Sequence, residues 1–315
     1  MRLAILIPAY NEELSIKNTI NTLSILIKDY TDKNLIDKNS YILIVDDGST
    51  DNTWNKILES RKENKSIKAI KFSKNFGNQN AIMAGYKKTE EIGCDMVVTI
   101  DADLQQDESK IKDFIENYKK GYEIVCGVRK SYNNKYSLKS ITSNLFYKLI
   151  NILGVNLQPG HSEYRLIGKK ALKIINEYKE VNIFVRGMIY DLGLKTKFIP
   201  YDIRERKYGE SKFNFLSLSK MALSAIVSFS TRPLKFVFCI GAFISVISMI
   251  LALIMAIQLI FQIKLLSPSV APFEVWETFA TGVEILCIGI IGEYISQTLA
   301  EAKKRPRYVI DEELI

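Results

Sequence analysis

Two carboxylates one residue apart, Asp101 and Asp103, follow an apolar run that ends at Ile100. A strand that ends in such a pair presents hard oxygen ligands at a sheet edge, and Mg²⁺ or Mn²⁺ binds such ligands, often together with substrate phosphates. Acidic pairs in loops are common and are often only solvated, so this pair needs support. Asp46 and Asp47 supply it, because they follow another apolar run. The two pairs indicate a metal and phosphate site.

Apolar and polar segments alternate through the first 130 residues, which predicts strands separated by helices. The predicted strands are Leu3–Ile7, Tyr41–Val45, Ile67–Phe72, Met96–Ile100 and Glu123–Val128, and the predicted helices are Leu14–Tyr30, Thr53–Asn64, Gln79–Ile92 and Ser109–Lys119. This alternation predicts an α/β fold with a Rossmann-like, mostly parallel sheet and flanking helices. Ligands bind beyond the carboxyl ends of such strands, so the acidic pairs should meet there.

The C-terminal part of the chain is apolar. No charged residue occurs from Phe236 to Ile263, and the apolar stretch Val275–Leu299 contains three glutamates. About 20 mostly apolar residues cross a bilayer. We therefore expect two transmembrane helices, at about 234–261 and 274–299, that form a hairpin within residues 231–300.

Charge predicts the topology of this hairpin. Arg232 and Lys235 precede the first span and a basic cluster, Lys303–Arg307, follows the second, whereas the connecting loop holds only Lys264. Basic residues concentrate on the cytoplasmic side, so both termini should be cytoplasmic. The N-terminal apolar run is shorter than a signal peptide requires. We expect a multi-pass inner (plasma) membrane protein.

Its expected parts are a cytoplasmic catalytic domain at 1–230, the two spans, and a cytoplasmic basic tail at 301–315. Within the first part, the segments at about 135–153 and 213–230 are amphipathic with basic flanks, and we expect them to lie in the membrane interface. The alternative is that they pack on the core of the domain. The net charge of +8 also favours a membrane surface, because no basic stripe interleaved with stacking aromatics indicates nucleic acid.

The remaining residue types exclude several chemistries. His161 is the single histidine, which excludes histidine-based zinc sites and nearly all histidine acid–base schemes. The four cysteines form no CxxC pair and are expected to be reduced. Neither a GxGxxG nor a P-loop sequence occurs, which disfavours a dinucleotide oxidoreductase.

Several motifs resemble the family-2 glycosyltransferases with the GT-A fold. They are LIPAYNEE (Leu6–Glu13), VDDGSTDNT (Val45–Thr53), SKNFGNQNAIMAG (Ser73–Gly85) and DADLQ (Asp101–Gln105). More narrowly, the chain resembles the polyprenyl-phosphate group that includes dolichol-phosphate mannose synthases and bactoprenol glucosyltransferases. This likeness continues through SEYRLIGKKAL (Ser162–Leu172), RERKYGESKF (Arg204–Phe213), STRPL (Ser230–Leu234), GIIGEY (Gly289–Tyr294) and KKRPRYVI (Lys303–Ile310). The family usually has Asp where Glu163 stands. It also usually has DLQDP where this chain has DLQQD (Asp103–Asp107).

The resemblance implies site residues and a cofactor. Asp101 and Asp103 would hold Mg²⁺ or Mn²⁺ on the donor diphosphate, and Glu163 and Arg129 would complete the catalytic set. The implied donor-binding residues are Pro8, Tyr10, Asn11, Glu12, Asp46, Asp47 and Gln105. The implied acceptor-phosphate residues are Arg129, Arg165, Arg204 and Lys212. For Arg204 and Lys212 the alternative is a solvated basic face.

The resemblance implies inverting transfer of a hexose from a nucleotide sugar, with UDP-glucose favoured, to undecaprenyl phosphate. UDP-N-acetylglucosamine, UDP-galactose and GDP-mannose are alternative donors. A processive polysaccharide synthase is disfavoured because no QxxRW-type motif occurs. A non-catalytic membrane scaffold with a degenerate nucleotide-sugar domain is the alternative from another class. The expected partners are the donor, the lipid, the membrane and a second copy of the chain in a homo-oligomer.

Overall fold

The computed structural model describes residues 1–130, 160–181, 183, 185–204, 232–261 and 270–315. The amphipathic segments predicted at 135–153 and 213–230 lie outside the described residues, as does Lys212.

Eight strands form one sheet. They are β1 (Leu3–Ala9), β2 (Tyr41–Asp46), β3 (Ile67–Phe72), β4 (Met96–Thr99), β5 (Ile124–Arg129), β6 (His161–Gly168), β7 (Thr196–Tyr201) and β8 (Ile310–Leu314). Their order across the sheet is β7-β5-β6-β4-β1-β2-β3-β8. The five predicted strands are confirmed to within two residues at each end.

The sheet is parallel at its centre and between β5 and β7, and it is antiparallel where β6 and β8 pair with their neighbours. Strand β1 pairs in parallel with β2 and β4, and β2 pairs in parallel with β3. Strand β6 lies antiparallel between β4 and β5, and β8 is antiparallel to β3. The predicted α/β fold with flanking helices is therefore confirmed, although the sheet is more mixed than predicted.

In the part of the chain that the structure describes, six helices cover the two faces of the sheet. They are α1 (Ile16–Asp32), α2 (Thr53–Glu63), α3 (Asn78–Glu91), α4 (Lys110–Lys119), α5 (Lys169–Glu177) and α6 (Val185–Asp191). Successive side chains of a strand point to opposite faces. Accordingly, Ile5 and Ile7 of β1 pack with α1, α2 and α4, whereas Ala4 and Leu6 pack with α3, α5 and α6. Burial on both faces explains why the central strands are continuously apolar.

Two long helices follow, α7 (Arg232–Phe261) and α8 (Val270–Ala302). Within the described residues, Ala280–Ala302 is the one segment long and apolar enough to cross a membrane, judged by length and composition. Large apolar side chains are exposed on both helices, including Phe238 at 75% and Ile288 at 67%. Exposed apolar surface of this extent is typical of contact with lipid or a partner. The two-span hairpin stays a prediction.

The end of the chain returns to the sheet. Strand β8 lies in the segment predicted to be a basic tail, and it pairs with the outer edge of β3. The Tyr308 ring stacks on Phe72 with centroids 4.9 Å apart, and Ser73 N donates to Val309 O at 3.0 Å. The polar sequence IDEEL has no strand-like alternation. Its strand conformation depends on the open edge that β3 provides.

Candidate active site

The loops that follow β1, β2 and β4 emerge at the same edge of the sheet, because these strands are parallel. The first two loops are interlocked. Asn11 N donates to Ser49 Oγ at 2.9 Å, Thr50 N donates to Asn11 Oδ1 at 2.9 Å, and Glu12 N donates to Thr53 Oγ1 at 2.8 Å. Asn11 has a positive φ of 52°, a conformation that asparagine adopts more readily than most residues. These hydrogen bonds fix the loops after β1 and β2 relative to each other.

Predicted donor residues line this edge to different extents. Pro8 is buried within β1, in register with Val45, and Tyr10 is half-buried just beyond the end of the strand. Pro8 thus shapes the end of β1, whereas Tyr10 has surface available for a ligand.

Asp46 ends β2 and is fully buried. Its Oδ1 accepts hydrogen bonds from the backbone N (3.2 Å) and hydroxyl of Ser49, whereas its buried Oδ2 has no hydrogen-bond partner among the described residues. Burial raises the pKa of Asp46, and the Ser49 hydrogen bonds oppose this shift. A buried acceptor without a donor is costly, so a donor group on a ligand would stabilise this carboxylate.

Asp47 holds a neighbouring loop. Its two carboxylate oxygens accept from Phe76 N at 2.7 Å and Gly77 N at 2.9 Å. Burial raises the pKa of Asp47 to about 6. Gly48 follows with a φ of 68°, and a Cβ there would overlap the Lys74 backbone. Because both of its oxygens accept backbone hydrogen bonds, Asp47 positions the 73–77 loop. Its predicted contact with the donor stays a prediction.

The acidic pair after β4 is held by a residue that the sequence analysis missed. Gln106, which is 1% exposed, accepts from Asp101 N at 2.7 Å and donates to Asp101 Oδ2. Asp103 Oδ1 accepts from Gln105 N at 3.1 Å. Gln106 thus fixes the Asp101 side chain. The one sequence signal that pointed to Gln106 is that this chain departs there from the usual family sequence DLQDP.

Negative charge accumulates around Asp101. The pKa of Asp101 is raised to about 7, chiefly by burial and then by the nearby Asp103 and Glu163 carboxylates, while Arg129 and Gln106 oppose the rise. A divalent cation would offset this repulsion, so the residues fit Mg²⁺ or Mn²⁺. Within the described residues there is no group of three or more His, Cys, Asp or Glu side chains that could hold an ion.

Glu163 lies at the start of β6 and has several donors. Its Oε2 pairs with Arg165 Nη2, and its Oε1 lies 3.1 Å from both Arg186 Nε and Gln79 Nε2. Gln79 and Arg186 were missed because they are distant from Glu163 in sequence. The Glu163 carboxylate also raises the pKa of Asp101. The catalytic role of Glu163 stays a prediction.

Arg165 is fully enclosed by the protein. Its side chain has no exposed surface, and it pairs with Glu163 and donates to Ser162 O at 3.2 Å. Arg165 is the buried counterion of Glu163. Its predicted contact with the acceptor phosphate stays a prediction.

Two other predicted basic residues lie near the acidic loop. Arg204 N donates to Gln105 O at 2.9 Å, and the Arg204 guanidinium, 46% exposed, pairs with Asp107 and Glu108. Arg129 ends β5 with an exposed side chain. The edge of the sheet therefore combines an acidic centre with cations around it.

Comparisons with known proteins identify the family of this chain. The model of the family described as "Glycosyl transferase family 2" matches residues 4–178. The uncharacterized glycosyltransferase YkoT of Bacillus subtilis is 37% identical over 99% of this chain and 92% of that protein. The bactoprenol glucosyl transferase of Shigella phage SfV is 31% identical over 99% of each chain. The prophage bactoprenol glucosyl transferase homolog of Escherichia coli is 30% identical over 98% of each chain. This chain therefore belongs to glycosyl transferase family 2.

Proposed function

We propose that the protein transfers glucose from UDP-glucose to undecaprenyl phosphate at the cytoplasmic face of the inner membrane, with inversion of the anomeric configuration. One observation carries the proposal: an acidic centre at Asp101 and Asp103 lies between the Asp46 loop and the cations Arg129 and Arg204. The names of the bactoprenol relatives support the acceptor and the sugar.

The donor would bind across the edge of the sheet. The orphan Oδ2 of Asp46 suits a hydroxyl or N–H donor of the nucleoside, and Tyr10 has surface available beside it. The diphosphate would lie over Asp101 and Asp103. A Mg²⁺ or Mn²⁺ ion held by that pair would stabilise the charge on the leaving nucleoside diphosphate as a Lewis acid.

The acceptor needs little activation. A phosphate monoester has a second pKa of about 6, so at neutral pH it is largely dianionic. One of its oxygens would attack the anomeric carbon while the bond from that carbon to the diphosphate oxygen breaks. A single displacement of this kind inverts the configuration. Arg129 and Arg204 would offset the repulsion between the two phosphates, because guanidinium geometry suits phosphate oxygens.

Glu163 would orient groups in this scheme and would not remove a proton. Its carboxylate already interacts with Arg165, Arg186 and Gln79. The attacking oxygen carries no proton that must leave. We therefore assign Glu163 the task of organising the site beside Asp101.

The direct test combines wild type and two metal-site variants. Purified protein is given undecaprenyl phosphate, Mg²⁺ or Mn²⁺, and in turn UDP-glucose, UDP-galactose, UDP-N-acetylglucosamine or GDP-mannose, and lipid-linked product is measured. Asp101→Asn and Asp103→Asn should each lower turnover by about 100-fold or more, because electrostatic stabilisation of the leaving group is lost. Asp113→Asn is the matched control, since that carboxylate pairs with Lys110 on α4.

Each outcome separates the alternatives. Wild-type turnover that persists in EDTA would contradict the metal role. A preference for GDP-mannose with inert UDP-sugars would overturn the donor but keep the enzyme class. Nucleotide-sugar binding without turnover under any condition would favour the non-catalytic scaffold.

The lipid acceptor needs a separate test that respects the position of β8. Deleting everything after residue 233 would also remove a strand of the catalytic sheet. Replacing 234–302 with a soluble linker keeps 303–315 and should preserve nucleotide-sugar binding while transfer to the long-chain acceptor falls strongly. Efficient transfer to a water-soluble acceptor would contradict the proposal.

A further inference from the structure

Gln79 bridges two parts of the site that are far apart in sequence. It lies in the first turn of α3, and its Nε2 donates to Glu163 Oε1 at 3.1 Å. Its Oε1 accepts from Val185 N, the first residue of α6, at 3.0 Å. The two ends of one amide group therefore hold strand β6 and helix α6 together.

The second of these contacts affects Glu163 indirectly. Helix α6 carries Arg186, whose Nε lies 3.1 Å from the same Glu163 oxygen that Gln79 contacts. Gln79 thus donates to Glu163 and also holds the start of the helix that brings Arg186 to it. Removal of the amide would loosen both interactions.

The backbone that precedes Gln79 is held by Asp47, which lies in the loop after β2. Asp47 accepts from Phe76 N and Gly77 N, and Asn80 Nδ2 donates to Phe76 O at 2.7 Å. Asp47 adjoins Asp46, which is the residue proposed to bind the nucleoside. The short segment from Phe76 to Gln79 therefore connects the donor loop to Glu163.

We propose that Gln79 is a positioning residue for glycosyl transfer, which holds Glu163 beside Asp101 and ties it to the Asp47 loop and to α6. Gln79 acts through Glu163 and does not itself touch the reacting atoms. This inference rests on the proposed function, because Glu163 has its role only in that reaction.

Two substitutions separate the contacts of Gln79. Gln79→Glu keeps an oxygen for Val185 N but replaces the donor to Glu163 with a second carboxylate. Gln79→Met has a similar length and removes both hydrogen bonds. Hydrogen bonds to charged groups contribute enough to change a rate by about tenfold or more. We expect kcat to fall by about that factor in both variants, with the KM for the nucleotide sugar within about twofold of wild type.

A double-mutant cycle tests whether the effect passes through Glu163. In the Glu163→Gln background, Gln79→Met should lower kcat by less than about threefold, because the carboxylate that it orients is already lost. If Gln79→Met melts well below wild type, the cycle is run with Gln79→Glu, which keeps the bond to Val185. Asn55→Asp, an amide-to-acid change at an exposed position on α2, is the control for added charge and should leave kcat unchanged.

If the wild-type enzyme is active, any one of three results would overturn the inference. They are a kcat above half of wild type in both variants, a loss that lies wholly in the donor KM, and an equal effect of Gln79→Met in the two backgrounds. A wild-type chain that makes no lipid-linked sugar from any donor would overturn the proposed function, and this inference with it.

Discussion

The stacking of Tyr308 on Phe72 predicts that the last residues of the chain stabilise the catalytic domain. The two rings are 4.9 Å apart and nearly parallel, and Phe72 is 1% exposed. Phe72 also meets Phe76 edge-on at 5.8 Å, and Phe76 N donates to Asp47. Loss of the Tyr308 ring would therefore disturb β3, and through Phe76 the loop that Asp47 holds.

The magnitude follows from two contributions. An aromatic pair contributes about 0.5–1.5 kcal/mol beyond the area it buries. Half-burial of a ring adds about 1 kcal/mol. Tyr308→Ala should thus lower the free energy of unfolding by about 2 kcal/mol, which corresponds to a fall in Tm of about 4–8 °C for a domain of this size. Tyr308→Phe keeps the ring and should melt within about 2 °C of wild type.

The assay uses a natural probe. Trp54, a residue of α2, is 6% exposed and belongs to the core, and the other tryptophan, Trp276, belongs to α8. Fluorescence-detected melting in a Trp276→Phe background therefore reports on the catalytic domain alone. Equal melting temperatures for Tyr308→Ala and wild type would show that the C-terminal segment does not brace the sheet.

Three further predictions concern packing and topology. Gly85→Ala should lower the free energy of unfolding by about 1–3 kcal/mol in urea titrations, because its Cβ would overlap the Leu6 side chain in the core; a variant as stable as wild type would show that the core can adjust. Gly48→Ala should raise the donor KM, since a Cβ there would overlap the Lys74 backbone and the φ of 68° disfavours alanine; an unchanged KM would separate this turn from donor binding. A single cysteine placed at position 269, in a background without Cys239 and Cys287, should react with an impermeant reagent only from the outer side, and labelling only from the cytoplasm would reverse the topology.

The central strands and their helices could be predicted from sequence alone, because their signals are local. Burial on both faces makes β1, β2 and β4 continuously apolar, and helix periodicity separates them. The same regularity located the acidic pair after β4 and Asp46 after β2, since ligand sites lie at the carboxyl ends of parallel strands. The order of the polar loops along the chain was thus sufficient to predict the edge that carries the site.

Strands β6, β7 and β8 were missed, and the reason is that their conformation depends on partners. Strand β8 is polar and nearly all exposed, and it forms only against the edge of β3. Strand β6 contains the buried cation Arg165, which breaks the apolar pattern and is stable there because Glu163 pairs with it. No local pattern specifies a strand that depends on a distant edge or a distant counterion.

The sequence by itself determined which residue types reach the site, and the tertiary structure decided what each one contacts. The motifs predict Asp101, Asp103 and Glu163 as site residues. The structure shows that Arg165 and Asp47 contact groups inside the protein. Gln79, Gln106 and Arg186 joined the site through contacts that no motif indicates. Chain segments about a hundred residues apart meet only when the sheet assembles. The direction of a side chain at such a meeting point depends on the donors and charges that the other segment provides.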